Sequence, residues 1–174
     1  ISGITPAISQ QAYEANLALV KQAKAAGVEI SCDLNFRKKL WKWHPEIQGQ
    51  PLARQCMAEV LPYVDVVIGN EEDAADVLDI HPADTDVTSG HLNVNAYQDV
   101  AQQIVAKYPN VKRVAITLRE SVSADHNNWG AMLYEAGGEA AFSPLNAAGE
   151  YEAFRIGHIV DRVGGGDSFA AGLL

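Results

Sequence analysis

Strand-like and helix-like segments alternate along this chain of 174 residues, and that alternation restricts the fold more than any other feature of the sequence. The apolar runs with the period or the β-branched composition of strands lie at 28–34, 64–68 and 114–118. The helical patterns, of which the last is the most clearly amphipathic, lie at 9–26, 52–61, 70–78 and 97–108. Strands joined through helices predict a three-layer α/β/α fold with a mainly parallel sheet.

The last third of the chain has a different pattern. A polar loop is expected over 119–129, and the segments 130–134 and 139–142 flank the turn 136–138 as the two strands of a hairpin would. A final strand is expected over 154–160, ahead of a glycine run and one more helix. Because ligands bind beyond the carboxyl ends of the strands in such sheets, functional side chains should follow strands directly. The candidates in those positions are Asn35, Arg37, Asn70, Arg119 and the glycine run at 164–166.

Composition and charge argue against several classes of protein. The formal net charge of -9 disfavours a nucleic-acid surface, which needs a basic face, although a local cluster of arginines can still hold a small anion. No apolar run is long enough to predict a membrane span. Cys32 and Cys56 have neither a disulfide nor a metal-type spacing, which predicts buried, reduced thiols in a cytoplasmic protein. The chain has no initial Met and stops soon after its last helix begins, so we expect a piece of a longer protein.

The glycine run is the segment with the clearest chemistry. Gly164, Gly165 and Gly166 lead directly into Asp167 at the start of the last helix. Backbone amides without side chains around them can point at an anion there, and the helix dipole adds positive potential. Such a cradle suits the charge on a transferred phosphoryl group, and a carboxylate beside it can accept the proton of an attacking hydroxyl group. Alternatively, Asp167 is a simple N-cap after a flexible turn.

The segment 161–169 resembles the C-terminal signature of ribokinase-like (PfkB-type) carbohydrate kinases, Asp-Thr-x-Gly-Ala-Gly-Asp-x-Phe. It departs from that signature at Arg162 and Gly165. The resemblance implies that Asp167 is the catalytic base, that the backbone of 164–166 forms the anion hole, and that ATP with Mg²⁺ is the phosphate donor. The positions that hold a monovalent cation such as K⁺ in many members correspond to Asp161 and the carbonyl group of Val163.

The segment 33–41, Asp-Leu-Asn-Phe-Arg-Lys-Lys-Leu-Trp, resembles a second motif of this family. Its extended form with Leu-Trp is similar to that of the 2-keto-3-deoxygluconate kinases in particular. The resemblance implies that Asn35 and Arg37 bind the substrate, and a guanidinium group can hold a carboxylate or a phosphate through two parallel hydrogen bonds. Alternatively, Arg37 is a solvated residue of the basic loop 37–39.

The segment from Asn70 to Asp73 resembles the family motif Asn-x-x-Glu, which acts on Mg²⁺, its waters and phosphate. Asp73 stands in the place of Glu and is one methylene shorter, so Glu72 or Glu71 could take over that role. Asn70 can also cap the helix that follows it, and both functions are compatible.

Thr117 and Leu118 match the start of the family's nucleotide motif, Thr-Leu-Gly-x-x-Gly, and Arg119 replaces its first Gly. The resemblance implies that Thr117 contacts the nucleotide, and Arg119 is a candidate contact for the ATP phosphates. An insertion over 121–129 follows, which either lines the nucleotide site or forms a surface loop. His158 falls in the expected last strand, which predicts a structural role.

Together these resemblances imply a partial kinase domain over 1–174 that lacks the lid and the C-terminal end of the fold. The implied reaction is ATP-dependent phosphorylation of a sugar or sugar acid, most similar to the conversion of 2-dehydro-3-deoxygluconate to its 6-phosphate. A fructokinase or ribokinase is the alternative within the family, and the full-length protein can be a homo-oligomer. Outside the family, a non-catalytic sugar sensor and a dinucleotide-binding oxidoreductase stay open, although the latter would need G-x-G-x-x-G at the start of a helix.

Overall fold

The computed structural model describes residues 1–82, 94–121, 123, 125–161 and 163–174. Its centre is a six-stranded sheet in the order β1-β2-β3-β4-β5, with β6 beside β4. The strands are β1 (Ser31–Asp33), β2 (Val66–Gly69), β3 (Arg113–Ser121), β4 (Asn127–Glu135), β5 (Ala140–Ser143) and β6 (Phe154–Ile156). The helices are α1 (Ile4–Ile8), α2 (Gln10–Ala25), α3 (Gln50–Val60), α4 (Glu71–Asp73) with a π-helical continuation (Ala74–Leu78), α5 (Val94–Lys107) and α6 (Gly165–Leu173). Every helix in this described part is too short or too polar to cross a bilayer.

The sheet is parallel in its first half and antiparallel in its second. Strand β2 pairs in parallel with both β1 and β3, whereas β4 pairs antiparallel with β3, β5 and β6. The expected hairpin is confirmed, since Tyr134 of β4 lies opposite Ala140 of β5 across the turn. The sheet is therefore mixed, because this hairpin adds antiparallel strands to the βαβ half that the alternating pattern predicts.

Local signals in the sequence set the bounds of the helices. Ser9 caps α2 as expected, because the N–H of Ala12 donates to Ser9 Oγ at 3.1 Å. The chain leaves α2 through Gly27, whose φ of +74° is a left-handed value that glycine adopts at little cost. The amphipathic pattern of α5 is confirmed as well, because Val100 and Ile104 on its inner face are buried.

Apolar side chains cover both faces of the sheet. One face carries the main core, whose largest fully buried side chains include Trp41, Leu52, Met57 and Leu61. The other face carries a smaller cluster in which Val66 and Ile68 pack with Phe169 and Leu173 of α6. Neighbouring residues of a strand point to opposite faces, so Val67 joins the main core instead. Helices on both faces confirm the three-layer arrangement.

The expectation of a polar loop over 119–129 is wrong. Strand β3 continues to Ser121 and β4 begins at Asn127. Arg119 lies opposite Trp129 in the ladder, and Ser121 lies opposite Asn127. The backbone hydrogen bonds of the hairpin hold these strand ends, so apolar side chains are not needed there and the sequence pattern looks like a loop. Arg119 therefore lies within a strand rather than after one.

The last strand is also shorter than expected. It ends at Ile156 instead of continuing to residue 160, because Ile156 pairs with Asn127, the first residue of β4, and the ladder ends there. Val160 is fully exposed. His158 is exposed too and lies beyond the strand, so its expected place in the last strand is wrong. Arg162 and residues 83–93 lie outside the described residues.

A buried carboxylate holds the opposite end of the sheet, where the parallel strands begin. Asp65 directly precedes β2, and its side chain is 2% exposed. Lys24 Nζ and Lys112 Nζ lie 2.8 and 3.1 Å from Asp65 Oδ1, and the N–H of Ile30 donates to Oδ2 at 3.1 Å. Burial alone would raise the pKa of Asp65, but the two lysines and the amide outweigh it and hold the pKa below its usual range. This cluster belongs to the scaffold.

Candidate active site

A cavity of about 1330 Å³ opens at the carboxyl ends of the parallel strands. The chain reaches this edge after β1, after β2, along β3 and at the start of α6, as the topology of an α/β sheet requires. All the candidate residues that the sequence indicates line this one cavity: Asn35, Arg37, Asn70, Glu72, Asp73, Thr117, Arg119, Asp161, Val163, Gly164, Gly165, Gly166 and Asp167. Their proximity is observed, whereas the role of each stays a prediction.

The glycine run forms an open helix N-terminus at this cavity. Gly164 has a φ of +79°, a left-handed value that favours glycine. The N–H of Ser168 donates to the Gly164 carbonyl oxygen at 2.8 Å and closes the first turn of α6. The amides of 165–167 precede that bond and have no partner within the helix. Asp167 is exposed in the same turn, so a carboxylate stands directly beside free backbone donors.

Packing does not explain why glycine occupies positions 165 and 166. A Cβ atom on Gly166 would meet nothing within 4 Å, and one on Gly165 would meet its first neighbour, the Trp129 ring, at 4.0 Å. Neither position has a left-handed φ. Since the fold has room for a side chain at both, the glycines leave the space in front of the amides open to a ligand.

The loop after β1 presents Asn35 and Arg37 to the cavity. Asn35 has a φ of +38°, a region in which Asn is several-fold enriched among non-glycine residues. Its N–H donates to Asp33 Oδ1 at 3.1 Å, which closes an Asx-type turn. Arg37 is exposed, and its Nη1 donates to the carbonyl oxygen of the preceding Phe36 at 3.0 Å. The turn therefore positions an arginine at the mouth of the site.

Asp73 connects this loop to the segment after β2. Its Oδ1 accepts the N–H of Phe36 at 2.9 Å, and its Oδ2 accepts the N–H of Asn70 at 3.4 Å. The N–H of Asp73 donates in turn to Asn70 Oδ1 at 2.7 Å, so the capping function of Asn70 is confirmed. Asp73 is 8% exposed and both of its oxygens accept backbone amides. Glu72, which is exposed in the same cavity, is the carboxylate better placed to meet a cation.

Burial and mutual repulsion perturb the carboxyl groups at this edge. Burial raises the pKa of Asp33. The amide of Asn35 and the charge of Arg37 oppose this rise, whereas the charge of Asp167 adds to it. Burial likewise raises the pKa of Asp73 against the two amides that it accepts, and Asp33 adds to that rise. The negative charges of Asp33, Asp73 and Asp167 thus oppose one another's ionisation, and the charge of Arg37 offsets part of this effect.

One face of the β3–β4 hairpin completes the cavity. The residues of the hairpin that line it alternate along the two strands and are Thr117, Arg119, Ser121, Asn127 and Trp129. The residues between them, such as Leu118, belong to the main core. Arg119 Nη2 donates to Ser121 Oγ at 3.1 Å. Of the two alternatives for the insertion, part of it thus lines the cavity, at Asn127 and Trp129.

Two wrong expectations concealed lining residues of the cavity. The expected loop over 119–129 concealed Ser121 and Trp129, and the expected strand over 154–160 concealed the exposed His158. The side chains from 129 to 134 alternate between the two faces of the sheet, since Trp129 and Leu133 face α6 while Met132 faces the main core. This alternation is the sequence signal that could have revealed the first part of β4.

The turn before the glycine run contains the two residues predicted for a monovalent cation. The N–H of Val163 donates to Asp161 Oδ1 at 2.8 Å, which keeps the carboxylate close to the backbone of the turn. Both residues are exposed at the wall of the cavity. Thr117, predicted for the nucleotide, lies deeper, and its Oγ1 donates to the Gly69 carbonyl oxygen at 3.5 Å.

Comparison with known proteins agrees with this geometry. The whole chain, residues 1–174, matches the model of one family, described as pfkB family carbohydrate kinase. The chain is similar to the crystal structure of the 2-dehydro-3-deoxygluconokinase of Thermotoga maritima, with 41% identity and a TM-score of 0.81 over 99% of this chain and 45% of that one. A PfkB family carbohydrate kinase of Listeria grayi is 32% identical, with a TM-score of 0.75 over 98% of this chain and 44% of that one.

A curated relative is similar over a shorter segment. The 2-dehydro-3-deoxygalactonokinase of Haloferax volcanii is 37% identical over 79 residues, which are 45% of this chain and 23% of that protein. The chain thus spans less than half the length of the relatives that it matches.

Proposed function

Because this chain belongs to the pfkB family of carbohydrate kinases, we propose that the protein transfers the γ-phosphoryl group of ATP to a hydroxyl group of 2-dehydro-3-deoxygluconate, giving ADP and the 6-phosphate. The observation that carries this proposal is the open glycine turn at 164–166 with Asp167 beside it, facing a cavity of suitable size. The choice of substrate is supported by the likeness to the Thermotoga maritima kinase and by the motif at 33–41. In this proposal residues 1–174 are part of one kinase domain.

Asp167 acts in this proposal as the general base. It accepts the proton of the substrate hydroxyl group while the oxygen attacks the γ-phosphorus in line with the leaving ADP. The amides of 165–167 donate to the phosphoryl oxygens, on which charge accumulates, and the dipole of α6 favours that charge. Both groups belong to one helical turn, so a single rigid element positions base and anion hole together.

Asn35 and Arg37 bind the sugar acid. Arg37 and Asp167 both line the cavity, and the charges of both influence the pKa of Asp33, which supports a substrate held between the arginine and the base. A guanidinium group there suits a substrate carboxylate, with which it forms charge-assisted hydrogen bonds. A neutral sugar such as fructose or ribose lacks this partner, which favours the sugar acid over those alternatives.

The residues present fit a magnesium ion held largely through water and phosphate. The carboxylate edge attracts a cation, and Mg²⁺ usually takes one or two protein carboxylates and keeps several waters. Glu72, with the Asn70 segment beside it, would hold the ion, and Asp73 would support them from the loop junction. When bound, the ion neutralises charge on the phosphates. Asn70, Thr117 and Arg119 would contact the nucleotide, and Asp161 with the Val163 carbonyl group would take up K⁺.

The state of the cysteines supports a cytoplasmic location in this proposal. Cys32 and Cys56 are both free and buried, as expected where thiols stay reduced.

The net charge of -9 disfavours nucleic acid as a partner, whereas a local cluster of arginines can still hold a small anion such as a nucleotide.

The C4 epimer 2-dehydro-3-deoxygalactonate is the second candidate substrate, because the Haloferax volcanii relative carries that name. The two sugar acids share the carboxylate that Arg37 would bind and differ in the configuration of one hydroxyl group. Turnover of the full-length protein with each of them separates the two candidates, and fructose and ribose serve as neutral controls. Faster turnover of a neutral sugar than of either acid would refute the sugar-acid assignment.

The variant Asp167→Asn tests the chemistry. We expect kcat to fall about 10³-fold, because a positioned base contributes about 10²–10⁴-fold. ADP release is measured on the full-length protein with saturating sugar acid. Asp79→Asn is the matched control, because Asp79 is exposed, lies outside the cavity and pairs with Arg54 at 2.8 Å. Near-normal turnover in Asp167→Asn would contradict the assignment of the base.

A further inference from the structure

Asp33 is a residue of the cavity to which the proposed reaction gives no role. It lines the cavity, it is half-buried, and its charge interacts with those of Arg37 and Asp167. A carboxylate in such a place either meets a ligand directly or holds the protein in shape around the ligand. The hydrogen bonds of Asp33 favour the second of these functions.

The backbone of Asp33 is fixed from both sides. Its N–H donates to the carbonyl oxygen of Ile1 at 3.2 Å, and its carbonyl oxygen accepts the N–H of Gly3 at 2.8 Å. The N–H of the next residue, Leu34, donates to the carbonyl oxygen of Ile68 in β2 at 2.8 Å. The side chain of Asp33 therefore extends from a rigid strand end, as a group that orients other groups in a site should.

The side chain of Asp33 acts on the backbone of the loop that follows. Its Oδ1 accepts the N–H of Asn35 at 3.1 Å, at a residue whose φ of +38° is uncommon outside glycine. The next amide, that of Phe36, donates to Asp73 Oδ1 at 2.9 Å. Two carboxylates thus hold two successive amides, and the turn that they hold leads directly into Arg37.

The guanidinium group after this turn remains available to a ligand. Arg37 is exposed and forms no ion pair with the residues that the structure describes. Its Nη1 donates to the carbonyl oxygen of Phe36 at 3.0 Å, which ties the guanidinium group to the same turn. A guanidinium group has further N–H donors for a carboxylate. A change in the turn would therefore displace a group that binds the substrate in the proposed function.

We propose that Asp33 is a positioning residue, which holds the turn at Asn35 and thereby places Arg37 for the carboxylate of the sugar acid. This inference rests on the proposed function and adds a residue to it. Holding the amide of Asn35 requires an oxygen atom at this position but no negative charge. A general base or a ligand of a cation would require the charge as well.

Two substitutions of Asp33 separate the oxygen atom from the charge. The Kd of 2-dehydro-3-deoxygluconate is measured by calorimetry and its KM by ADP release, both on the full-length protein. Asp33→Ala removes the acceptor, so we expect Kd and KM to rise about 10-fold, as for the loss of one hydrogen bond to a charged group. The kcat should change little, because the lost binding is common to the ground state and the transition state.

Asp33→Asn is the conservative variant. It keeps an oxygen atom for the amide of Asn35 and removes a charge that repels an anionic substrate, so neither Kd nor KM should rise. A rise of the same size in Asp33→Asn as in Asp33→Ala would refute the positioning role. An unchanged Kd in Asp33→Ala would refute it too.

Asn146→Ala is the matched control for the loss of a turn. Asn146 Oδ1 accepts the N–H of Ala148 at 2.9 Å, which is the same spacing of two residues, in a turn between β5 and β6 that does not line the cavity. The control should keep the wild-type Kd. If Asp33→Ala does not fold, Asp33→Ser takes its place and should give a smaller rise, because a hydroxyl group supports such a turn more weakly. An unchanged Kd in Asp33→Ser would then refute the inference.

A double variant shows whether Asp33 acts through Arg37. In an Arg37→Ala background the turn has no guanidinium group left to place, so Asp33→Ala should not weaken sugar-acid binding any further. A general loss of stability would instead weaken binding in both backgrounds. A further loss of the same size in the double variant would therefore overturn the inference.

The results also separate this inference from the proposed function. Phosphorylation of the sugar acid with the same KM in the wild type and in Asp33→Ala would refute the inference and leave the kinase assignment intact. Sugar-acid binding that depends on Asp33 through Arg37, without phosphorylation, would support the inference and refute the kinase assignment.

Discussion

Alanine at position 166 should separate the stability of this protein from its catalysis. Gly166 is the second residue of α6, it has no left-handed φ, and a Cβ atom there meets nothing within 4 Å. The fold therefore accepts a methyl group at this point. Because alanine loses less backbone entropy than glycine on entering a helix, we expect Gly166→Ala to raise the free energy of unfolding by about 0.5–1 kcal/mol.

The same methyl group would stand in front of the amides that we propose to hold the phosphoryl group. Removal of one donor from a developing oxyanion typically costs about 10²–10³-fold in kcat. A displaced phosphoryl group loses contact with at least one of these donors, so we expect kcat to fall about 10²-fold, which corresponds to about 2.7 kcal/mol in the activation free energy. The KM for the sugar acid should change little, because Arg37 is on a different loop.

Two measurements on the full-length protein test this separation. Urea denaturation reports the free energy of unfolding, and ADP release at saturating substrate reports kcat. Gly172→Ala is the matched control, because Gly172 belongs to the same helix and a Cβ atom there also meets nothing within 4 Å. We expect the control to gain similar stability and to keep its turnover. Wild-type kcat in Gly166→Ala, or the same loss in both variants, would refute the anion cradle.

Three further variants probe the scaffold around the site. Asp65→Asn should lower the free energy of unfolding by about 2 kcal/mol near pH 7. Because the pKa of Asp65 is depressed in the folded protein, the difference in stability between wild type and variant should disappear as the pH falls from about 3.9 through that folded pKa. Asp73→Asn should cost about 1–2 kcal/mol in urea denaturation, because its amide cannot accept both backbone N–H groups, including that of Phe36. Gly130→Ala should cost about 1–3 kcal/mol in thermal unfolding, because its Cβ atom would lie 2.2 Å from Tyr151 Oη.

Each of these variants can contradict its own premise. If the free energy of unfolding of Asp65→Asn decreases at acidic pH in the same way as that of the wild type, the ion pairs of Asp65 do not set the pH dependence of folding. Unchanged stability in Asp73→Asn would show that the junction of the two loops holds without the carboxylate. Gly130→Ala should recover stability in a Tyr151→Ala background, and no recovery would place the strain elsewhere.

The sequence predicted the elements whose packing and hydrogen bonds are local. The cap at Ser9 and the hairpin at 136–138 follow from interactions within a few residues. The apolar spacing of α5 follows from burial against the main core, and the continuous apolar run at 64–68 follows from burial on both faces of the sheet. The glycine run was recognisable for a similar reason, since a left-handed Gly164 and a helix start are both local events.

The rest depended on contacts between distant parts of the chain. The strand character of Arg119 and Ser121 comes from pairing with residues on the far side of a turn, and polar side chains on the cavity face hid it. The function of Asp73 depends on Phe36, which is 37 residues away in the chain. The burial of Asn127 in the wall of the cavity could not be inferred from composition, because it depends on how the hairpin packs.

The two faces of the β3–β4 hairpin limit how this part of the protein can change during evolution. Side chains alternate between the main core and the cavity, so insertion or deletion of a single residue within either strand would exchange Leu118 for its neighbour Arg119 in the core. Such a shift would expose apolar surface and bury charge at once. Changes of length can therefore be accommodated only in pairs of residues or in the turn between the strands. Lineages that acquire a new ligand preference should carry substitutions at the cavity-facing positions and length variation confined to that turn.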